Sequence, residues 1–313
     1  MGIVVETLTT VPWDRSSGFT RELNHAPVGG FMLTDQTQSP LPHLFAVRSG
    51  HVYVVNLAGA APLIDSQVVL LVAGAPEHSV AAHELDAEPF IGKTIDDLLI
   101  LADGSVVWTL HDDDAEHFLV RSSAVGDTIW STKIGRVEHH AGEGLDALPL
   151  ADRLLTVTYH AGKIAFRTLR SSTGETVETW LEPRAVDRFH QVEGGELVGI
   201  GFSEEERARK LVGYDCTTRR TAVTPLDQEH YGLFGGLIGA DRRSRLYLAL
   251  GSRLARYSPD GRLSEIDVRR DVAPSLQAPV LPPSEWRVDP DGQVLLADPG
   301  EQGLSIMGVR FDR

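Results

Sequence analysis

Two short runs concentrate side chains that move protons or ligate metals. His139-His140 is followed by Glu143, and His111-Asp112-Asp113-Asp114 leads through Glu116 to His117. Imidazole titrates near neutral pH and ligates metals when unprotonated, and a nearby carboxylate can serve as general acid or base. His190 and His230 add single histidines elsewhere in the chain. The acid–base candidates are therefore His140, Glu143, His190 and His230. The metal-ligand candidates are His140, His190 and His230, and the cofactor they would hold is one divalent ion. A second chemistry is anion capture. Arg184, Arg188 and Arg287 can each fork onto a carboxylate or phosphate. With His43, Tyr231 and Trp286 they form a candidate ligand-binding set.

Each group also has a structural role open to it. Adjacent histidines in a strand point to opposite sides, so at most one of His139 and His140 faces a site if that stretch is extended. A calcium loop alternates its acidic positions around a Gly bend; the three consecutive aspartates lack both, and the run reads as a solvated hairpin. The arginines can pair with Asp187 or Glu285, and Trp286 and Tyr231 can pack between structural repeats. Cys216 is the sole cysteine, placed on an outer strand with no histidine close in sequence, and there is no Gly-x-Ser-x-Gly elbow, so nucleophilic catalysis has little support.

The elements that must position these residues repeat along the chain. A short apolar strand, a tight turn and a second β-rich strand recur six times, with turns at Gly50, Gly104, Asp152, Gly195, Ser244 and Gly292. The spacing averages about 48 residues, the length of one four-stranded propeller blade. A second register, Gly74, Gly126, Gly174, Thr218 and Gly261, marks turns between later strands. Asp103-Gly104, Asp260-Gly261 and Asp291-Gly292 are hairpin signals. Residues 203–210 alone look locally helical. The last repeat supplies three strands, and residues 3–9 form a strand with no partner nearby in sequence. The expected fold is all-β: a single six-bladed propeller spanning 1–313, four antiparallel strands per blade, closed when the amino-terminal strand joins the last blade.

The pattern resembles the six-bladed propeller families, namely the pyrroloquinoline-quinone-like repeats, the NHL repeats and the gluconolactonase group. The segment from Gly126 through Trp130 to Gly135 resembles a quinoprotein-type repeat, in which a Gly turn precedes a strand carrying Trp. The resemblance implies a fold and carries no activity. Lactonases of that group hold a divalent metal with Glu, Asn and Asp from several blades. Here Asn24 and Asn56 are the only asparagines, so the mid-chain Asn ligands are missing. His43, His140, His190 and His230 fall in four different repeats, as in the four-histidine iron site of carotenoid-cleaving oxygenases, but those proteins are larger and seven-bladed.

In a propeller, the inter-blade connections and the loops between second and third strands share one face. Eight of the twelve histidines map there: His43, His111, His117, His139, His140, His160, His190 and His230. Convergent polar groups at a channel mouth are where a ligand is expected. The formal net charge of -15 argues against nucleic-acid and anionic-membrane partners. No signal-peptide pattern opens the chain, and no apolar run reaches ~18 residues. The expectation is a cytoplasmic, monomeric binding module holding a small polar ligand or a protein segment at the channel mouth. One alternative is an enzyme on the same face, a metal-dependent hydrolase or a His/Glu lyase or cyclase; another is a protein–protein scaffold.

Overall fold

A computed structural model describes residues 3–12, 45–48, 51–58, 67–74, 80–136, 145–160, 162–183, 186, 188–192, 195–203, 208–226, 236–250, 253–272, 286–299 and 303–311. The first strand, β1 (Ile3–Pro12), precedes five blades of four consecutive strands. Blade one holds β2 (Phe45–Arg48), β3 (His51–Ala58), β4 (Gln67–Gly74) and β5 (Val80–Glu84). Blade two holds β6 (Lys93–Ile100), β7 (Val106–Asp112), β8 (Glu116–Ser122) and β9 (Thr128–Arg136). Blade three holds β10 (Leu145–Leu150), β11 (Arg153–His160), β12 (Lys163–Arg170) and β13 (Thr176–Pro183). Blade four holds β14 (Phe189–Gln191), β15 (Glu196–Ser203), β16 (Ala208–Asp215) and β17 (Arg220–Pro225). Blade five holds β18 (Leu237–Ala240), β19 (Leu246–Leu250), β20 (Arg253–Tyr257) and β21 (Leu263–Asp267). The remaining sheet runs β22 (Arg287–Val288), β23 (Val294–Pro299), β24 (Gly303–Phe311), with β1 beside β24. This is a β-propeller fold.

Two compact units are present. In the unit built mainly from Thr7–Glu182, the first strands β2, β6 and β10 lie side by side. In the unit built mainly from Pro183–Asp298, the same is true of β14, β18 and β22. Second strands carry the core. β11 is buried from Leu154 to Tyr159 without alternation, because a strand covered on both faces needs apolar or hydrogen-bonded side chains on both. Fourth strands are outer edges: β17 is exposed throughout and β13 nearly so. Their Glu178, Glu182, Arg220 and Pro225 discourage further strand pairing.

The first hairpin of a blade is held by an aspartate that accepts from backbone N–H groups of its own turn. Asp103 accepts from Ser105, Asp241 from Arg243 and Arg245, and Asp289 from Asp291 and Gln293. The following Gly104 and Gly292 take positive φ. Blades two and three dock through two similar runs, Arg121-Ser122-Ser123 and Arg170-Ser171-Ser172. Trp130 Nε1 and an Arg121 guanidinium nitrogen both donate to the Ser171 carbonyl, at 2.9 and 2.7 Å. Thr132 Oγ1 donates to the Gly174 carbonyl. Beneath β1, Gln293 Nε2 donates to Glu6 Oε1 at 2.8 Å.

Two expectations change. Residues 203–210 are not helical where described: Ser203 pairs with Ala208 and Phe202 with Arg209, because the ladder of blade four outweighs a short charged helix preference. Cys216 lies in the turn after β16, the third strand, and is buried. Burial, with Asp215 beside it, pushes its thiol up to about 12. The folded protein is therefore expected to resist alkylation by iodoacetamide at pH 8, while the urea-unfolded chain reacts at an ordinary thiol rate; equal rates would overturn this. Among the described residues no helix is long and apolar enough to cross a membrane.

Candidate functional site

The first strand of blade four, β14, and strand β22 carry the described residues of the anion-capture set. Arg188 immediately precedes β14, His190 is the middle residue of β14, and Arg287 opens β22. β14 lies beside β18, and β18 beside β22. Two glycines permit the close approach. A side-chain carbon at Gly199 of β15 would fall 2.6 Å from the Arg188 carbonyl oxygen and 3.0 Å from Val186 Cβ. One at Gly239 of β18 would fall 2.8 Å from Val288 Cβ of β22. Both mark backbone approaches that a side chain would forbid.

The electrostatics of the group are those of a cationic patch around a neutral base. Burial, then the positive charges of Arg188 and Arg287, lower the His190 pKa from 6.5 to about 3. The ring keeps a partial solvent contact while protein atoms crowd its other sides. His190 is thus a neutral donor–acceptor at neutral pH. The positive charges of Arg188 and Arg287 disfavour a cation at this ring and favour an anion.

Of the remaining expected site residues, His43, His140, Glu143, Arg184, His230 and Tyr231 lie outside the described residues. Trp286 takes its structural role rather than a ligand-binding one. It is 2% exposed, packed with Val294, Leu296, Val309 and Phe311, so its indole offers no face to a ligand. Among the described residues no group of three His, Cys, Asp or Glu side chains could hold a metal ion.

A second grouping lies in blade two. His111 Nδ1 is 2.7 Å from Asp96 Oδ1, and His117 Nδ1 is 3.8 Å from Asp96 Oδ2. The two rings sit 5.7 Å apart. Asp96 reaches them because β6 bulges between Ile95 and Asp97, and β8 shifts register at His117. Bulges re-aim side chains in this way. The solvated hairpin expected for 111–117 holds only at its tip: Asp113 and Asp114 are exposed, while His117 is 2% exposed. His111 and His117 are direct cross-strand partners of the β7–β8 hairpin; the bulge that delivers Asp96 was not visible in the sequence, since a strand's register is a property of its partner.

No family model and no curated protein matches the chain in sequence. Solved structures are similar in fold. A protein from Lactobacillus plantarum is 13% identical over 85% of this chain and 80% of its own, with a TM-score of 0.51. The GH93 alpha-L-arabinofuranosidase of Fusarium graminearum, in complex with arabinobiose, is 9% identical over 83% of this chain and 89% of its own, with a TM-score of 0.50. The β-propeller domain of the Trilobed protease from Pyrococcus furiosus is 11% identical over 84% of this chain and 81% of its own, with a TM-score of 0.48. The likeness is one of fold alone.

Proposed function

We propose that the chain is a binding module that holds a small anionic ligand against Arg188, His190 and Arg287. The observation that carries this reading is one neutral imidazole on β14 whose protonation is disfavoured by burial and then by the charges of Arg188 beside it and of Arg287 on β22, with β18 between the two strands. In the same reading, residues 1–313 are one domain, the sheet of β22, β23, β24 and β1 is its sixth blade, and the amino-terminal strand closes the ring. The site then lies at the channel mouth. The protein acts as a cytoplasmic monomer with a small-molecule or protein-segment partner; the net charge of -15 supports the absence of nucleic-acid and membrane partners.

The test is calorimetric titration with succinate and with inorganic phosphate at low ionic strength. Two charge-assisted contacts of about 1.5 kcal/mol each correspond to about 100-fold in affinity. The double variant Arg188→Ala/Arg287→Ala is expected to lose that factor for whichever anion binds. A bound anion favours the imidazolium, so binding raises the His190 pKa from its low value in the free protein. Unchanged affinity in the double variant would remove the reading. A second reading, an acid–base enzyme, is favoured by the Asp96–His111 contact, in which the carboxylate can orient the ring as a general base.

A further inference from the structure

A cavity of about 120 Å3 opens where the end of β9 in blade two meets blade three. Its walls are Arg136 at the end of β9, Thr158 and His160 of β11, Arg167 of β12 and Thr179 of β13, with Ile134 and Ala165 as apolar lining. The blade interface leading to it is apolar: Trp130 and Ile134 pack with Leu145, Leu154 and Leu169. Alternate residues share a sheet face, so the row of Leu169, Arg167 and Ala165 on β12 passes from that core into the cavity. On β11, the register pairs Thr156 with Arg167 and Thr158 with Ala165. Apolar packing thus gives way, at the cavity, to hydroxyls, an imidazole and two guanidiniums from four strands.

Arg167 is half-buried, and among the described residues no carboxylate pairs with it. Burial lowers the pKa of its guanidinium, and among the described residues no negative charge offsets it. A cation held in a cleft without a counter-charge costs stability. In a chain of net charge -15, long-range attraction for anions is absent, and beyond about 10 Å the rest of the charge is screened. Capture here has to be local.

We propose that this cavity between blades two and three is a second anion site, which takes one small oxyanion, a phosphate or a carboxylate. Arg167 supplies the inner donor fork, Arg136 the outer one, and Thr158 and Thr179 supply hydroxyl donors. The volume admits an ion of a few heavy atoms and no drug-sized ligand, for which pockets run to several hundred Å3. The site is separate from Arg188, His190 and Arg287 and does not depend on the function proposed for them.

The experiment uses the full chain carrying Arg188→Ala/Arg287→Ala, so that binding at the first site does not contribute. It is titrated calorimetrically with inorganic phosphate and, separately, with malonate. Saturable one-to-one binding of either is expected, and the tighter of the two identifies the source of the oxyanion. Adding Arg167→Gln is expected to weaken that binding about 30-fold, and Arg136→Gln about fivefold, the smaller loss reflecting its exposure. No binding of either anion, or equal binding with Gln at 167, overturns the proposal. Arg167→Leu gives an independent readout without ligand: removing an uncompensated cation is expected to raise the urea midpoint in anion-free buffer, and a lower midpoint overturns the premise.

Discussion

Replacing Asp241 with Ala is expected to destabilise the protein by about 3–5 kcal/mol, the range for removing one partner of a buried charged network. Asp241 is 1% exposed at the first turn of blade five. Its carboxylate accepts from the backbone N–H of Arg243 at 2.8 Å and of Arg245 at 3.1 Å. It also accepts from Arg245 Nε at 2.6 Å and from the Tyr247 hydroxyl at 3.0 Å. Tyr247 is fully buried in the core that includes Leu254, Trp286 and Val294. Ala would leave that hydroxyl and two turn N–H groups without their acceptor, and the cost of unmade bonds exceeds the benefit of made ones. Asn keeps an acceptor but loses the charge and is expected to cost about half as much.

The pH dependence follows from the same contacts. Burial pushes the Asp241 carboxyl up, but hydrogen bonds from Arg245, Arg243 and Tyr247 outweigh it and hold the group below its ordinary value of 3.8. A depressed carboxylate contributes stability that is full above its unfolded pKa and is lost as pH falls through the folded one. The wild type therefore loses this contribution below about pH 4, whereas Asp241→Ala has already lost it and shows a shallower acid limb. Urea denaturation across pH 2.5–7 measures both. A midpoint change worth under 1 kcal/mol at pH 7 would show that the network is not stabilising.

Gly174→Val is expected to cost about 3 kcal/mol or more. Gly174 has a φ of +72°, which a β-branched residue adopts only under strain. Its new side chain would also meet Thr132 Oγ1 at 2.6 Å and Trp130 Cε3 at 2.7 Å, in the neighbouring blade. The indole would have to leave the position from which it donates to Ser171. Gly162 provides the control. Its φ is +73°, but nothing lies within 4 Å of an added carbon, so Gly162→Val carries the backbone strain alone. The difference between the two variants isolates the inter-blade dock, and equal losses would mean that the dock contributes nothing. A red-shifted, more quenchable tryptophan emission is expected for Gly174→Val alone.

Local chemistry explains why the turns were legible before the strands were. Gly104 and Gly292 stand where positive φ is required, and Asp103, Asp241 and Asp289 stand where a side-chain acceptor closes the turn. Thr218 marks a turn for a similar reason: it follows Asp215, which accepts from the N–H groups of Thr217 and Thr218. Residues 203–210 misled because a short charged run reads as a helix, whereas Ser203 pairs with Ala208 and the residues on either side continue that ladder. The near-copies Arg121-Ser122-Ser123 and Arg170-Ser171-Ser172 were recognisable as repeats, but their function as a dock depends on the Trp130 indole reaching into the next blade.

The functional groups divide along the same line. Arg188 and His190 share a side of the chain by the two-residue period of a strand, so their association could be read directly. Arg287 could be grouped with them from the sequence, but that its charge acts on His190 depends on β14, β18 and β22 lying side by side. Arg167 left a faint trace, a cation alternating with Ala165 and Leu169 on one face of an apolar strand; that the face opens into a cavity rather than solvent follows from where β9 ends. Asp96 maps by the repeat to the same face as His111 and His117, but its contact with them depends on a bulge, which is set by how two strands settle against each other. Short-range patterns thus specified turns, strand order and the residue types available for anion binding. Which of those residues meet was settled by the packing of one blade on the next, because contacts between blades join positions that are distant in sequence and are selected by burial rather than by spacing.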